Sequence, residues 1–142
     1  MTRFWIIACA LVCFTTYLKA QTRGAYSPPT SLSHVFEDHF PDAEMASWKK
    51  DASGYEVTFV NHELKMTAHY SFSEVWERTD IEVPLNMMPA ESMAHFRKNF
   101  PGATLLKTGY LDAPEARYYK IDISIDGRRR QLRYDDKGVF IK

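Results

Sequence analysis

The sequence predicts an α+β fold: a tandem repeat of one helix plus about four antiparallel strands, forming a curved sheet covered by helices on one face. Three features predict it: a sparse internal repeat, a helix signal at the start of each copy, and a two-residue alternation of apolar and polar side chains after each helix. The length of 142 residues allows one ordinary globular domain and leaves no room for a multidomain enzyme.

The internal repeat keeps its order through both halves of the chain. Equivalent positions lie sixty residues apart in the helical segments and sixty-four apart in the strands, which indicates a four-residue insertion around residues 112–114. The helical set pairs Pro29, Phe36, Phe40, Pro41 and Ala43 with Pro89, Phe96, Phe100, Pro101 and Ala103. The strand set pairs Tyr55, Val57, Phe59, Tyr70 and Trp76 with Tyr119, Ile121, Ile123, Tyr134 and Phe140. We expect two repeats, at about residues 28–83 and 88–142, within a single domain over residues 21–142.

Each repeat begins with a helix signal. Pro29 and Pro89 suit the first position of a helix, and apolar residues follow them at helical spacing. Pro41 and Pro101 end the helices, because the residue before a proline resists the helical conformation. Such short helices with one apolar stripe are marginal alone, so each must lie on a sheet.

Strand patterns follow both helices. Residues 55–60 and 64–72 alternate apolar and polar side chains around a tight connection at residues 61–63. Residues 118–125 alternate in the second repeat and end at Asp126-Gly127, a strong hairpin signal. The flanking strands are expected at residues 44–50, 75–83, 104–110, 130–134 and 139–141. Because only one face of these strands is apolar, helices should cover that face and leave the other to solvent or a partner.

The first twenty residues have the features of a secretory signal peptide. Arg3 provides a basic start, residues 4–18 are almost entirely apolar, and Ala20 offers a small residue before a cleavage point. The apolar stretch is shorter than the roughly twenty residues of a membrane span. We expect an exported protein, periplasmic or extracellular, with a signal peptide at residues 1–20 and no stable membrane span after cleavage. An uncleaved N-terminal anchor and a lipoprotein are the alternatives.

Charge and cysteine content narrow the function further. The 18 basic and 18 acidic side chains cancel, which argues against a nucleic-acid partner. Residues 21–88 carry five basic and eleven acidic groups, whereas residues 89–142 carry eleven and seven, so the halves have opposite net charge. The run Arg128-Arg129-Arg130 fits either a solvated hairpin end or a contact with an anionic group. Both cysteines lie in the signal, so the chain after it has no disulfide.

Several short motifs together resemble the PepSY-like family of small exported bacterial proteins. They are the helix ends at residues 40–43 and 100–103, Trp48, the strand at 54–59 and the closing turn at 134–138. The resemblance implies the fold of the beta-lactamase inhibitor protein, in which tandem helix-plus-sheet repeats form one curved sheet whose exposed face grips an enzyme. It also implies kinship with domains associated with peptidase propeptides and peptidase inhibition. This sequence departs from the pattern at residues 71–74, which replace an acidic, glycine-bearing turn.

Catalytic and metal-binding motifs are missing from the sequence. It has no nucleophile elbow, no glycine-rich phosphate loop and no zinc-protease histidine pair. The five histidines have no recognised ligand spacing, and a plain turn explains Asp135 and Asp136 better than a calcium loop does. We expect no enzyme, no metal and no cofactor.

Aromatic and basic residues on the open face are the candidate binding residues. Parity along the strand puts Tyr118 and Lys120 opposite the core tyrosines. We expect Trp48, Trp76 and Phe140 on the same open side, the alternative being that one or both of these tryptophans wrap around an edge to complete the core. The candidate set for partner binding is Trp48, Trp76, Arg78, Tyr118, Lys120, Arg133 and Phe140, with the aromatic residues as anchors.

Together these features predict an exported, non-enzymatic binding protein that uses its open sheet face to bind a protein or peptide of the cell envelope. An inhibitor of an envelope enzyme is the most specific form of this prediction. A carrier or sensor of a small envelope ligand is the main alternative and would need a concave pocket between the repeats. A hydrolase would need an acid, a base and a nucleophile in one cleft.

Overall fold

The computed structural model describes residues 25–141, so the predicted signal peptide and both cysteines lie outside the described residues. Two helices and seven strands make up the fold, with a short 3₁₀ turn at Leu85–Met87. The first half contains α1 (Thr30–His39), β1 (Glu44–Lys50), β2 (Tyr55–Asn61), β3 (Leu64–Tyr70) and β4 (Trp76–Glu82). The second contains α2 (Ala90–Asn99), β5 (Thr104–Ala113), β6 (Ala116–Ile125) and β7 (Arg128–Tyr134).

All seven strands form one antiparallel sheet in the order of the sequence, β1 to β7. The predicted α+β class, with an antiparallel sheet and two helices, is therefore confirmed. The second helix is followed by three strands, and only a single bridge between Tyr134 and Phe140 stands where a fourth strand was expected. The β5–β6 hairpin is longer than the sequence predicts, because β5 continues to Ala113 instead of ending at Tyr110.

The two helices end in the same way. The Phe40 N–H donates to the Phe36 carbonyl at 2.8 Å, and the Phe100 N–H donates to the Phe96 carbonyl at 2.9 Å. A proline follows each of these phenylalanines, so neither helix continues. At the other end, Pro29 and Pro89 occupy the position just before the first helical residue, one place earlier than the sequence predicts.

Two hydrophobic clusters lie between the helices and the sheet. Leu32 and Phe36 of α1 pack on β2 and β3, while Met93 and Phe96 of α2 pack on β6 and β7. Ile81 of β4 contacts both clusters and so joins the two halves of the core. As the alternation predicts, the buried sheet residues include Tyr55, Val57, Phe59, Tyr70, Ile121, Ile123 and Tyr134.

The turn at residues 71–75 has the same hydrogen bonds as the turn at residues 135–139, although their sequences differ. In the first, the Ser71 N–H donates to the Val75 carbonyl at 2.9 Å; in the second, the Asp135 N–H donates to the Val139 carbonyl at 2.9 Å. Glu74 adopts a φ of 63° where the second turn has Gly138 at 80°. The departure from the family pattern therefore leaves the shape of this turn unchanged.

Candidate binding face of the sheet

One face of the sheet carries both helices, and within residues 25–141 the opposite face, called here the open face, carries none. Strand pairing brings the open-face side chains into cross-strand rows: Glu56 lies opposite His69, Leu111 opposite Tyr118, and Lys120 opposite Arg133. Neighbouring strands hold such residues at fixed spacing, so the open face is a rigid surface.

The centre of the open face is a network of charged side chains. The His69 ring lies between two carboxylates, with Nδ1 3.6 Å from Glu56 Oε2 and Nε2 3.5 Å from Asp80 Oδ2. Lys49 Nζ lies 2.7 Å from Glu56 Oε1, and the Lys120 ammonium pairs with Asp80 from the other side. Four strands, β1 to β4, are thus connected to β6 through side-chain contacts.

Lys120 reaches Asp80 by crossing β5 over Gly109. Gly109 lies directly opposite Lys120 in the β5–β6 pair and opposite Glu82 in the β4–β5 pair. A Cβ at Gly109 would lie 2.7 Å from the Ile81 carbonyl oxygen and 3.1 Å from Lys120 Cε. The missing side chain therefore provides the path along which the lysine stem lies.

Asp80 is held in its charged form by this network. Contact with His69, followed by the Lys120 and Arg78 charges, keeps the pKa of Asp80 well below its usual range, although partial burial acts in the opposite direction. Lys120 and His69 are largely buried, with side chains only 14% and 15% exposed. A partner would have to break the Lys120–Asp80 pair to use either charge, so this pair is internally neutralised.

A second ionic cluster lies beside the first, at the end of β4. Glu82 Oε1 accepts from Lys107 Nζ at 2.9 Å and lies 3.3 Å from Lys65 Nζ. The Lys107 ammonium, followed by that of Lys65, lowers the pKa of Glu82. This cluster is half-exposed, so it contributes little to stability and mainly fixes side-chain positions.

Tyr118 and Arg133 form a cation–π pair near the β7 side of the open face, and the Arg133 charge is not neutralised by a carboxylate of the described residues. The Arg133 guanidinium lies 4.8 Å from the centre of the Tyr118 ring, and its Nε lies 3.4 Å from Gln131 Oε1. Within the described residues, no carboxylate lies within ion-pair distance of Arg133. Leu111 of β5, directly opposite Tyr118, adds an apolar neighbour.

Trp48 lies on the helix face, so its predicted place on the open face is wrong. It pairs with the buried Val57 across β1 and β2, and its ring meets the Phe36 ring of α1 edge-on at 5.3 Å. The sequence does not show which β1 side chains face the helices, because nearly all of its residues are exposed and a bulge separates Glu44 from Ser47.

Trp76 also lies on the helix face, against the prediction. It sits opposite the buried Tyr70, its ring meets the His39 ring edge-on at 5.0 Å, and its Nε1 donates to Thr79 Oγ1 at 2.9 Å. A bulge places Arg78 opposite His69 on the open face, with Glu77 as the extra residue. Counting alternate residues across a bulge reverses the face, which explains the error.

Phe140 is the third aromatic residue whose predicted face is wrong. It bridges to Tyr134, whose side chain is fully buried, and its ring stacks on the His95 ring of α2 at 4.7 Å. The alternative that tryptophans complete the core therefore holds for Trp48 and Trp76, whereas Phe140 lies on the helix side and is 39% exposed. Of the seven candidates, the open face brings together Arg78, Tyr118, Lys120 and Arg133.

Strand parity places Glu56 on the open face, but the sequence-based candidates for binding did not include Glu56, Asp80 or His69. The signal for one pair was present, because a tight turn at residues 61–63 fixes Glu56 opposite His69. His62 and Glu63 take φ angles of 48° and 64° in that turn. Asp80 could not be placed, since its contact with Lys120 crosses the β4–β5 pairing between the two halves.

Residues 25–141 contain neither a metal-binding cluster nor a membrane-spanning helix. This part of the chain holds no cluster of three or more histidine, cysteine or acidic side chains arranged for a metal ion. None of its helices is both long and apolar enough to cross a membrane.

Solved structures share this fold at low sequence identity. A BLIP-like protein from Bacteroides fragilis superposes with a TM-score of 0.73 at 14% identity, over 84% of this chain and 86% of that one. A DUF2874 family protein from Bacteroides ovatus gives a TM-score of 0.71 at 18% identity, over 82% and 86%. A protein described as a candidate periplasmic protein of Bacteroides eggerthii gives 0.70 at 17%, over 82% and 88%. These likenesses establish the BLIP-like fold.

The sequence itself carries the family assignment. No curated protein matches the chain. The family described as beta-lactamase-inhibitor-like, PepSY-like matches residues 54–142, which is more than half of the chain and includes β2 to β7. The resemblance read from the sequence is therefore confirmed, and the protein belongs to the PepSY-like family.

Proposed function

We propose that the chain is an exported, non-enzymatic binding protein of the cell envelope that holds a protein partner on the open face of its sheet. The observation that carries the proposal is the Tyr118–Arg133 pair, which stands beside Leu111 on a face that no helix covers. Its most specific form is an inhibitor-like protein, in keeping with the family. In this proposal the two halves are copies of one helix-plus-sheet unit joined into a single surface.

The residues of this pair have the chemistry of interface anchors. Tyrosine and arginine are enriched among the few residues that carry most of the energy of protein interfaces. Both side chains are half-buried, and stacking on Tyr118 orders the long Arg133 side chain before binding. Less conformational entropy is then lost when a partner docks.

The charged centre of the face has a different role. Because Lys120 is committed to Asp80 and Glu56 is shared by Lys49 and His69, these groups stiffen the surface and offer few free charges. The anchor therefore lies towards β5–β7, and Lys120 acts by fixing the surface rather than by direct contact. The proposed anchor is therefore confined to the second half of the sheet, whereas the sequence predicts anchor residues in both halves.

Two observations support the proposed export of the protein to the cell envelope. The first twenty residues carry the features of a secretory signal, and a structural neighbour is described as a candidate periplasmic protein. An exported scaffold without cysteines after the signal depends on its core and its ionic networks for rigidity.

Site-specific photo-crosslinking in the native envelope tests the proposal. A photoreactive residue replaces Tyr118 in one variant and Arg97, on the exposed side of α2, in the matched control. We expect a discrete adduct from position 118, absent from position 97 and lost when Arg133→Ala is added. An inhibitor-like role further predicts that the crosslinked protein loses activity when the purified chain is added.

Two results would contradict the proposal. Equal adducts from both positions would show that the open face has no preference for a partner. An adduct that persists unchanged with Arg133→Ala would remove the Tyr118–Arg133 pair as the anchor.

A further inference from the structure

The outer edge of β7 has backbone groups that no strand uses. The Ile141 N–H donates to the Arg133 carbonyl at 2.9 Å, so the backbone groups of Arg133 point away from β6. Alternation along the strand then points those of Arg129 and Gln131 the same way. In the described chain, β7 pairs on this side only with Phe140, which leaves the edge from Arg128 to Leu132 open.

This open edge is regular, unlike the other edge of the sheet. All seven residues of β7 pair with β6 in continuous register. At the opposite edge, β1 has a bulge between Glu44 and Ser47, a left-handed Met45 at φ 52°, and a bridge from Tyr26 to Trp48. Bulges and covering segments are the devices that prevent edge pairing, and the open part of β7 has neither.

The charge at the β7 edge is strongly positive. Arg128, Arg129 and Arg130 follow one another, and within the described residues none lies within 4.0 Å of a carboxylate oxygen. Strand alternation sends Arg129 to the open face and the other two to the opposite face. Acidic side chains on either face of an added strand would therefore meet an arginine.

Beside this edge is a groove of about 670 Å³. It is lined by Leu106, Lys107, Asp122, Arg129, Arg130 and Gln131. Leu106 is the extra residue of a bulge in β5 and is 43% exposed. Because β6 separates β5 from β7, an added strand would contact this groove only on its β7 side, at Arg129 and Gln131.

We propose that the outer edge of β7 between Arg128 and Leu132 is a docking site for an extended acidic segment of a partner protein, which joins the sheet as an additional strand. Backbone hydrogen bonds to Arg129 and Gln131 hold the segment, and the arginines select its charge. A second copy of the chain is a poor occupant, because antiparallel pairing of two β7 edges sets arginines against arginines. The site is separate from the Tyr118–Arg133 anchor, so each can fail independently.

Fluorescence anisotropy with a labelled heptapeptide of alternating glutamate and valine tests this site on the chain beginning at Gln21. The control peptide is N-methylated at every interior residue, which removes the backbone donors and keeps the charge. We expect the unmodified peptide to bind and the methylated one to bind at least about tenfold more weakly. On binding, hydrogen exchange at the Arg129 and Gln131 amides should slow.

Variants of β7 separate backbone pairing from ionic attraction. Gln131→Pro removes the outward N–H without breaking the ladder to β6, whereas Gln131→Ala keeps that N–H and removes the side chain. We expect about a tenfold loss with the proline variant, little change with the alanine variant and a weaker complex with Arg129→Gln. If Gln131→Pro fails to fold, the two peptides with the unaltered chain still decide the question.

Three outcomes would overturn the proposal. The first is that the unmodified peptide does not bind. The second is that both peptides bind equally, which would indicate attraction to any polyanion. Binding that Gln131→Pro leaves unchanged, with no slowing of exchange at Arg129 and Gln131, would place the peptide elsewhere.

Discussion

The Tyr134 hydroxyl and Nδ1 of His95 lie 3.2 Å apart, so α2 is tied to β7 by a polar contact inside the core. In the predicted repeat Tyr70 is the counterpart of Tyr134, sixty-four residues earlier, but its buried hydroxyl has no hydrogen-bond partner in the described chain. Val35 stands where the repeat would place the counterpart of His95. Burial raises the pKa of Tyr134 to about 12 and raises that of Tyr70 as well.

Removing these two hydroxyls should have opposite consequences. Tyr134→Phe leaves His95 without its partner and should lower the free energy of unfolding by about 1 kcal/mol. Tyr70→Phe removes an unsatisfied buried group and should leave stability unchanged or raise it by about 1 kcal/mol. Urea unfolding of both variants measures the difference. Equal losses would show that the His95 contact contributes nothing.

Glycine is required at the closing turn but not at the end of α2. Gly138 has a φ of 80°, and a Cβ there would lie 2.9 Å from both Pro89 Cβ and the Ser92 nitrogen. Gly138→Ala should therefore lower the free energy of unfolding by roughly 1–3 kcal/mol. Gly102→Ala is the matched control, since its Cβ would meet nothing within 4 Å. Similar thermal unfolding midpoints for the two variants would refute this assignment.

Asp80 should make the protein sensitive to acid. Its pKa is lower in the folded than in the unfolded chain, so its stabilisation is present above the unfolded pKa of about 4 and is lost as the pH falls through the folded pKa. At neutral pH, Asp80→Asn should cost about 1–2 kcal/mol, because the largely buried Lys120 loses its counter-charge. Urea unfolding at decreasing pH should show this cost shrinking below about pH 4.

The matched control for acid sensitivity is Asp122→Asn. Asp122 accepts from the Gln131 amide and belongs to no ion pair within the described residues. We expect its cost to be small at neutral pH. An Asp80→Asn cost that stays constant from neutral to acidic pH would rule out the proposed linkage.

Alanine substitutions at Trp48 and Tyr118 should affect different properties: the first should mainly lower stability, and the second should mainly weaken partner binding. Trp48→Ala removes an aromatic side chain from the core around Phe36 and should cost about 2–3 kcal/mol of unfolding free energy. Tyr118→Ala removes the surface on which Arg133 stacks and should cost about 1 kcal/mol or less. Under conditions where both variants remain folded, only Tyr118→Ala should weaken partner binding. Equal losses of binding would contradict the assignment of faces.

The sequence predicts the fold well where alternation is uninterrupted. In β2 and β3 alternate residues such as Val57, Phe59 and Ala68 are buried, and in β6 Ile121 and Ile123 are, so the faces can be read directly. The helix ends are equally legible, because a proline follows Phe40 and Phe100. The faces of these strands and the ends of these helices can therefore be predicted from local sequence alone.

The candidate site is less predictable because bulges and long-range pairing determine it. The bulge at Trp76 exchanges the two faces within β4, and a short sequence offers no residue that marks it. Lys120 meets Asp80 across forty residues of chain, a contact that exists only once β4 and β5 pair. Local patterns therefore identify which residues are exposed, while the pairing of the two halves decides which of them meet.

The order of the strands also has a consequence for how the chain reaches its folded state. Every strand pairs with its neighbour in sequence, and apart from β4–β5 the partners are joined by short connections. Short loops close at a small entropic cost, so β1–β4 and β5–β7 can each assemble as a local meander. Only β4–β5 spans a helix, which makes their pairing the non-local step of folding. During synthesis or export, a chain that emerges N-terminus first can form β1–β4 before β5–β7 have emerged. The edge of β4 is then the template on which the second meander, β5–β7, pairs.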